Sequence, residues 1–233
     1  MKNKISSLSI LFPVYKDSKT IEILIKKSIA LCEELSLDYE LIIVDDCCPE
    51  KSGVIAKEYM KSNKQIKLIT HNVNKGYGES IKSGLKICSK DWILQTDGDN
   101  QYDIYDFKKM SDIVHNYDCI ITFRYKKIYS SLRIFISWVY NKLIQLLFKS
   151  SFRDISTGLR LIKKDALKDI EITSQNAFVG AEIAIKLMLK GYQVGEMGIS
   201  TYPREFGTST IITIKNIIST IKDIIKVRKE IFR

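Results

Sequence analysis

The feature that most constrains the fold is a regular alternation of short apolar runs with segments of helical spacing from Ser7 to Arg124. Strands that alternate with helices are typical of an α/β domain whose largely parallel, twisted sheet is flanked by helices on both faces. The predicted strands are Ser7–Val14, Tyr39–Val44, Ile66–Thr70, Trp92–Thr96 and Cys119–Phe123, and the predicted helices are Thr20–Leu35, Val54–Met60, Gly78–Cys88 and Ile104–Val114.

The second half of the chain is less regular. We predict helices over Ser131–Phe148, Ala181–Leu189 and Ile211–Arg228, and strands over Leu159–Ile162 and Tyr192–Ile199. No segment has the composition and length of a linker between domains. The 233 residues, 45% of them hydrophobic, are therefore predicted to form a single domain, 1–233.

Composition narrows the class of partner. Lys and Arg number 37 against 27 Asp and Glu, a formal charge of +10, which favours nucleic acid, anionic lipid surfaces or phosphorylated substrates. The five Cys form no Cys-x-x-Cys pair, so a zinc site is not expected, and several lie in apolar runs as reduced cytosolic thiols do. No window has the roughly 20 uninterrupted apolar residues of a membrane span, so we expect a chain that lies on a membrane without crossing it.

An apolar run ends in Asp97-Gly-Asp99-Asn-Gln101. Alternate side chains of an extended chain point the same way, so Asp97, Asp99 and Gln101 are predicted to present oxygens to one point. Such oxygens suit Mg²⁺ or Mn²⁺, and a cation held by few protein groups leaves positions for phosphates. Asp and Gly are also common in ordinary turns, and this segment alone is compatible with that interpretation.

Polar residues follow each predicted strand of the first half. Ligands of open α/β sheets bind outside the carboxyl ends of the strands, so these residues are predicted to meet at one edge. Each is compatible with a simple turn, but together they indicate a nucleotide whose phosphates are bridged by a metal. The dinucleotide fingerprint does not fit, because Ile81 occupies the place of its third glycine. The strand-end residues are Pro13, Tyr15, Asp17, Asp45, Asp46, Gly76, Gly78, Asp97, Asp99 and Arg124.

Taken in order, these motifs resemble glycosyltransferase family two, and within it the dolichol-phosphate mannose synthase branch. The resemblance runs from about Ser7 to Arg228. The matching segments are Pro13-Val-Tyr15, Val44-Asp45-Asp46, Asn74-Lys-Gly76-Tyr-Gly78, Asp97-Gly-Asp99-Asn-Gln101, Asp154-Ile-Ser-Thr-Gly158-Leu-Arg160, Glu182 and Arg204-Glu-Phe-Gly207-Thr-Ser209.

The resemblance implies a GT-A fold and an inverting, metal-dependent transfer from a nucleotide sugar such as GDP-mannose or a UDP-hexose. It implies a donor and metal half over about 7–130 and an acceptor and membrane half over about 131–233. Asp45, Asp46 and the backbone of Pro13–Tyr15 would surround the base and ribose, with Asp17, Gly76, Gly78 and Asp97 in the same nucleotide site. Asp97, Asp99 and Gln101 would hold Mg²⁺ or Mn²⁺, and Arg124 and Arg204 would face the diphosphate or the acceptor phosphate.

Four positions, in three segments, depart from the family pattern. Cys47-Cys48 replaces small polar residues, Asp17 stands where Glu is usual, and Asp103 replaces a proline. None removes a predicted metal ligand, but the first two leave the preferred base and sugar open.

Two helices bear on the acceptor. Arg133, Ser137, Asn141 and Gln145 form one polar stripe on the apolar helix Ser131–Phe148. The stripe could face water, but the resemblance implies that Arg133 and Ser137 bind a polyprenyl phosphate. The last helix carries Ile214, Ile217, Ile218, Ile221, Ile224 and Ile225 on one face and Lys residues elsewhere, so it could cover the sheet or lie in a membrane interface. We expect a peripheral protein of a cytoplasmic membrane face.

The chemistry depends on the acceptor. A lipid phosphate is already ionised and needs only positioning by Arg133, Ser137 and Arg204, whereas a sugar hydroxyl of a glycan precursor needs a base, for which Asp154 and Glu182 are the candidates. Asp99 and Arg204 are predicted to act at the departing diphosphate in either case. A sugar-nucleotide transferase would need a Gly-rich basic segment near the N-terminus, and a polyanion-binding module would need interleaved aromatic and basic residues. The sequence has neither feature, so we expect no nucleic-acid partner.

Overall fold

The structure, a computed structural model, describes residues 5–204 and 213–232. Within these ranges the fold is a mostly parallel sheet of seven strands in the order β3-β2-β1-β4-β6-β5-β7. The α/β prediction is confirmed. The strands are β1 Ser7–Val14, β2 Asp38–Asp45, β3 Ile66–Thr70, β4 Trp92–Gln95, β5 Cys119–Arg124, β6 Arg160–Lys163 and β7 Val194–Ile199.

The direction of β6 decides which of its residues lie at the edge where the parallel strands end. β6 lies antiparallel between β4 and β5, whereas the remaining neighbouring strands are parallel. In the β4–β6 register the first residue of β6, Arg160, is opposite the last residue of β4, Gln95. The segment that enters β6 therefore reaches the edge at which the parallel strands end.

Helices cover both faces of the sheet because the central strands are apolar on both sides. Ile10 of β1 belongs to the core under α1, α2 and α4, and its neighbour Leu11 belongs to the core under α3, α5, α6 and α7. The helices are α1 Ser18–Glu34, α2 Ser52–Ser62, α3 Tyr77–Ile87, α4 Asp106–Ile113, α5 Ser131–Phe148, α6 Val179–Leu189 and α7 Ile214–Ile231, with short 3₁₀ turns at Val114–Asn116 and Lys164–Asp169.

Helix α7 begins three residues later than predicted, at Ile214, and residues 211 and 212 lie outside the described ranges. Ile224 is buried against the sheet, together with Val227, whereas Ile217, Ile218, Ile221 and Ile225 remain exposed. The helix therefore covers the core with only part of its apolar surface. No described helix combines the length and apolar character needed to cross a bilayer.

Strands from both sides of residue 130 share one sheet, since β6 separates β4 from β5. The division into a donor half and an acceptor half stays a prediction.

Candidate active site

A cavity of about 340 Å³ opens at the carboxyl ends of β1 and β4. Loops that follow parallel strands converge at this edge, and the segment entering β6 and the loop before α6 complete the wall. We call it the acidic pocket. It is lined by Pro13, Val14, Tyr15, Asp17, Asp46, Asn74, Gly76, Tyr77, Ser80, Asp97, Gly98, Asp99, Ser156, Thr157, Gly158, Arg160, Asn176, Ala177, Arg204, Asn216 and Thr220.

Asp17 stands at the N-cap position of α1, but its carboxylate does not cap that helix. Its Oδ2 accepts the backbone N–H of Tyr15 at 3.1 Å, which turns the side chain towards the pocket. Burial raises the pKa of Asp17 to about 6, the Tyr15 bond opposes that change, and the charge of Asp99 adds to it. Gly98 permits this approach, because a Cβ there would lie 3.0 Å from Asp17 Oδ2 and 2.9 Å from the Pro13 carbonyl.

Asp97 follows β4 and is oriented by a buried tyrosine. The Tyr77 hydroxyl donates to Asp97 Oδ1 at 2.8 Å and accepts from Gln95 Nε2 at 3.1 Å. Burial and then the charge of Asp99 raise the pKa of Asp97 to about 6, while the Tyr77 bond and the charge of Arg160 oppose the rise. Tyr77 is thus a site residue that the motif Gly76-Tyr-Gly78 contained but that spacing alone did not identify.

Asp99 is paired with an arginine from the far end of the chain. Arg204 Nη2 and Nε lie 2.8 and 3.2 Å from Asp99 Oδ2, and Arg204 Nη2 lies 3.9 Å from Asp17 Oδ1. The pocket therefore holds four carboxylates, those of Asp17, Asp46, Asp97 and Asp99, and two arginines, and Arg204 lies close to two of the carboxylates. The motif continues over residues 205–209, which lie outside the described ranges.

The donor set of the pocket fits a hard divalent cation. Asp17, Asp97 and Asp99 supply carboxylate oxygens, and burial, with a smaller contribution from the charge of Asp99, raises the pKa of Asp17 and of Asp97. Among the described residues, however, no group of three His, Cys, Asp or Glu side chains has metal-binding geometry. Mg²⁺ or Mn²⁺ would therefore bind to one or two carboxylates, chiefly Asp97 and Asp99, and share its other positions with phosphates and water.

Gln101 lies beside the pocket rather than in its wall. Its Nε2 donates to the Tyr202 carbonyl at 3.2 Å, and its backbone N–H donates to Asp99 Oδ1 at 3.1 Å. It therefore orders both Asp99 and the segment that leads to Arg204. Its role as a metal ligand stays a prediction.

The acidic pair after β2 divides into two different positions. Asp46 lines the pocket, and its carboxylate accepts the backbone N–H groups of Lys75 and Gly76 and His71 Nδ1 at 2.7–2.8 Å. Asp45 lies outside the wall. Its oxygens accept the backbone N–H groups of Cys48 and Gly53, so it orders the start of α2.

The two glycines of the β3–α3 loop also differ. Gly76 lines the pocket in the left-handed region, with φ 89°, which favours glycine. Gly78 packs against the loop before α6, where a Cβ would lie 2.6 Å from the Gln175 carbonyl oxygen. Gly78 thus brings that loop to the pocket.

Arg124 and Asp154, predicted to act separately, form an ion pair outside the pocket wall, and both side chains are buried. Arg124 Nε and Nη2 lie 2.8 and 3.0 Å from the two carboxylate oxygens. Burial raises the pKa of Asp154, but the bonds and charge of Arg124 outweigh that effect and hold it below its usual range. Arg124 Nη2 also donates to Ser156 Oγ at 2.8 Å, and Ser156 lines the pocket.

Arg124 belongs to what we call the basic cluster, which comprises Arg124, Lys127 and Arg133. Lys127 Nζ donates to Ser137 Oγ at 2.7 Å and lies 3.4 Å from Asp154. The Arg133 guanidinium stacks 3.8 Å from the ring centre of Tyr129, whose hydroxyl accepts from Arg124 at 3.2 Å. The structure thus brings the predicted Arg133 and Ser137 together with Lys127, which the sequence analysis missed because Lys127 lies in a loop with no periodic signal.

Glu182 is neither in the pocket nor on a helix surface; it is fully buried. Its oxygens accept the backbone N–H groups of Thr173 and Ser174 at 2.9 and 2.8 Å, and it pairs with Lys186 at 2.6 Å. Asp223 of α7 accepts the next two backbone N–H groups, those of Gln175 and Asn176, at 3.2 Å. Both acids therefore position the loop that lines the pocket.

The outer surface of α5 is strongly apolar. Its exposed side chains lie beside the basic cluster, and Phe135 stacks on Trp138 with 6.1 Å between ring centres. Exposed large apolar residues gathered on one surface are typical of an interaction face. They are Leu132, Ile134, Phe135, Trp138, Val139, Leu143 and Leu146.

The fold and the pocket define an α/β protein with a ligand site at the carboxyl edge of its mostly parallel sheet. The chain belongs to glycosyl transferase family 2, whose family model matches residues 9–171, and it is therefore a glycosyltransferase. The family resemblance predicted from the motifs is confirmed.

Similar proteins agree with this assignment. An uncharacterized protein of Methanocaldococcus jannaschii is 29% identical over 231 residues, covering 93% of this chain and 96% of its own. The undecaprenyl-phosphate 4-deoxy-4-formamido-L-arabinose transferases of Edwardsiella ictaluri and Photorhabdus laumondii are 26% and 24% identical over 70% and 88% of this chain. This chain spans only 51% and 63% of their lengths.

Two solved structures share the fold. Mannosyl-3-phosphoglycerate synthase from Rubrobacter xylanophilus superposes with a TM-score of 0.71 at 12% identity, over 96% of this chain and 73% of that chain. Glucosyl-3-phosphoglycerate synthase from Mycobacterium tuberculosis, in complex with Mn²⁺, UDP and phosphoglyceric acid, gives 0.71 at 14% identity, over 97% and 78%. The GT-A fold prediction is confirmed.

Proposed function

We propose that this glycosyltransferase moves a sugar from a nucleoside diphosphate sugar to a polyprenyl phosphate at a membrane surface. The observation that carries the proposal is the double role of Ser156, which lines the acidic pocket and contacts Arg124 of the basic cluster at 2.8 Å. A donor in the pocket and an anionic acceptor at the cluster would meet at this residue.

The donor would occupy the acidic pocket. Asp46 and the backbone of Pro13–Tyr15 would contact the base and ribose, and Asp97 and Asp99 would hold Mg²⁺ or Mn²⁺ beside the diphosphate. The M. tuberculosis neighbour with Mn²⁺ and UDP supports this arrangement by analogy. Asp45 would act indirectly, because it lies outside the pocket wall and its carboxylate orders the start of α2.

The acceptor phosphate would bind at the basic cluster, beside Arg133 and Ser137, while Arg204 would stay with the donor in the acidic pocket. Burial lowers the pKa of Lys127, and the positive charge of Arg124 lowers it further, although the Asp154 carboxylate opposes both effects. A bound anion would offset the positive charge of Lys127 and Arg124, so anion binding is favourable there. The apolar surface of α5 begins directly beside Arg133 and suits a prenyl chain. The names of the undecaprenyl-phosphate transferases support the same acceptor class.

The reaction is a single displacement. An oxygen of the acceptor phosphate attacks the anomeric carbon, a new carbon–oxygen bond forms, and the bond to the nucleoside diphosphate breaks with inversion. Arg204 stabilises negative charge on the departing diphosphate by moving from Asp99 to its oxygens. A bound divalent cation would supply further charge stabilisation at the same oxygens.

No general base is needed for a phosphate acceptor, and this agrees with the state of the two acids considered for that role. Hydrogen bonds and cations hold the pKa of both Asp154 and Glu182 below the usual range despite burial, and Glu182 does not reach the pocket. A hydroxyl acceptor would lack a poised base among them. The pKa of Asp17 and of Asp97 is raised to about 6, but both acids line the donor pocket rather than the basic cluster, so we favour the lipid phosphate over a glycan hydroxyl.

The same arrangement suggests where the protein acts. With α5 and the exposed isoleucines of α7 against lipid headgroups, the enzyme would be peripheral, and a nucleotide-sugar donor fits the cytoplasmic face.

The test is to incubate purified protein and Mn²⁺ with polyprenyl phosphate and, separately, a panel of GDP-sugars and UDP-sugars. We expect one labelled sugar to enter the organic phase, and EDTA to prevent it. Transfer to a free hydroxyl acceptor with no lipid-linked product would refute the proposed acceptor, and the absence of nucleotide-sugar binding would refute the proposed donor class.

A further inference from the structure

The buried side chain of Arg160 has hydrogen-bond donors that the described residues leave without partners. It is 3% exposed and lines the acidic pocket. Its Nη2 donates to the Thr157 carbonyl, but Nε and Nη1 have no hydrogen-bond partner in the part of the chain that the structure describes. Buried polar groups of native proteins are nearly always paired, so a guanidinium that lines the pocket and keeps two enclosed donors without partners indicates that a ligand completes its bonding.

The surrounding chain makes room for this side chain. Gly180 at the start of α6 packs against the guanidinium, and a Cβ there would overlap Nη1. Gly158, two residues before Arg160, packs in the same way against the Asp97 carboxylate. Two glycines thus allow a cation and a carboxylate to approach one part of the pocket.

The chemistry of the pair defines the ligand. A hydroxyl both donates and accepts, so it is recognised by an acceptor such as Asp97 together with a donor such as Arg160. The charge of Arg160 opposes that of Asp97, and Arg204 with a bound cation would oppose the charges of Asp17 and Asp99, so the pocket suits a neutral hydroxylated ring better than an acidic one. We propose that Arg160 binds the sugar hydroxyls of the donor and determines acceptance of a neutral sugar, an inference that rests on the proposed function.

Binding measurements separate the sugar from the rest of the donor. Titrations in Mn²⁺ compare UDP with UDP-glucose and GDP with GDP-mannose, for wild-type protein and R160K. R160K keeps a positive charge near Asp97 but loses the planar set of donors. We expect R160K to weaken nucleotide-sugar binding about 10–100-fold and nucleoside diphosphate binding less than about 2-fold.

Two further variants distinguish the loss of a sugar contact from a general structural effect of the substitution. G180A displaces the guanidinium while keeping Arg160, and should reproduce the loss of sugar binding. R153K makes the same chemical change at an exposed arginine that stacks on Phe123 outside the pocket, and should bind both ligands as wild type does. Melting temperatures identify any variant that is unfolded.

Equal weakening of both ligands by R160K, or no weakening of either, would overturn the inference. Tighter binding of UDP-glucuronate than of UDP-glucose by the wild type would overturn the assignment of a neutral sugar. Wild-type protein that binds neither nucleotide sugars nor nucleoside diphosphates would instead refute the proposed function, and this inference with it.

Discussion

The apolar surface of α5 gives the sharpest test of membrane attachment, because its residues contribute little to the core. Phe135 is 59% exposed and Trp138 is 56% exposed, and they contact each other across the surface. The double variant F135A/W138A removes this pair. Since most of the area lost faces outward, the fold should tolerate the change.

The expected loss of membrane affinity follows from the apolar side-chain area that the double variant removes. If each side chain has about 200 Å² of surface, about 115 Å² of it is exposed, and the alanine that replaces it keeps about 40 Å², then truncation removes about 75 Å² of lipid contact per residue. At about 25 cal/mol per Å², the two losses total about 4 kcal/mol for complete insertion and about 2 kcal/mol if half of the area inserts. The vesicle partition coefficient should therefore fall by about 30-fold or more. The free energy of unfolding should change by less than about 1.5 kcal/mol, mostly from the lost stacking.

The assay is co-sedimentation with vesicles that contain anionic lipid, with urea unfolding of each variant in parallel. V54A/M60A is the matched control, since it removes exposed apolar side chains from α2, which packs on the other face of the sheet. The control should partition as wild type does. Unchanged partitioning of F135A/W138A, or an equal loss in the control, would refute the assignment of α5 to the membrane.

Three further predictions concern single side chains. D99A removes the carboxylate that holds Arg204 and is proposed to bind the cation, so transfer should fall at least about 100-fold in a radiolabelled-sugar assay, and full activity would contradict the site. K127A should raise KM for polyprenyl phosphate about 10-fold without changing donor affinity, and an equal effect on both substrates would contradict a role at the acceptor. E182Q should lower the free energy of unfolding by about 2–4 kcal/mol at pH 7. Although burial raises the pKa of Glu182, bonds from Lys186, Ser174 and Thr173 lower it overall, so its stabilisation is present above its ordinary value of 4.5 and is lost as the pH falls below it. Urea unfolding between pH 3 and 7 should therefore show a flatter acid dependence for E182Q, and parallel profiles would contradict the ion pair.

The sequence by itself determined the order and type of the main elements. Strand and helix periods are local properties, so β1, β3 and α5 have the predicted bounds. The rule that parallel strands present their carboxyl ends at one edge then predicted that Asp17, Asp46 and Asp97 would meet.

Only the tertiary structure decided how the long-range partners combine. Arg124 pairs with Asp154 across 30 residues, and Asp99 pairs with Arg204 across 105. Glu182 lies on a helix that is apolar almost all round, so helical spacing did not reveal that it is buried beneath a loop. Such pairings depend on distances through space, which a single chain's local pattern does not encode.

The direction of β6 is the clearest example. Four apolar residues predict a strand but not its orientation, because the side-chain period is the same in both directions. Insertion of β6 antiparallel between β4 and β5 brings its first residue, Arg160, to the edge where the parallel strands end. The packing of the sheet, rather than the motif around Arg160, thus places at the pocket a guanidinium whose Nε and Nη1 have no hydrogen-bond partner within residues 5–204 and 213–232.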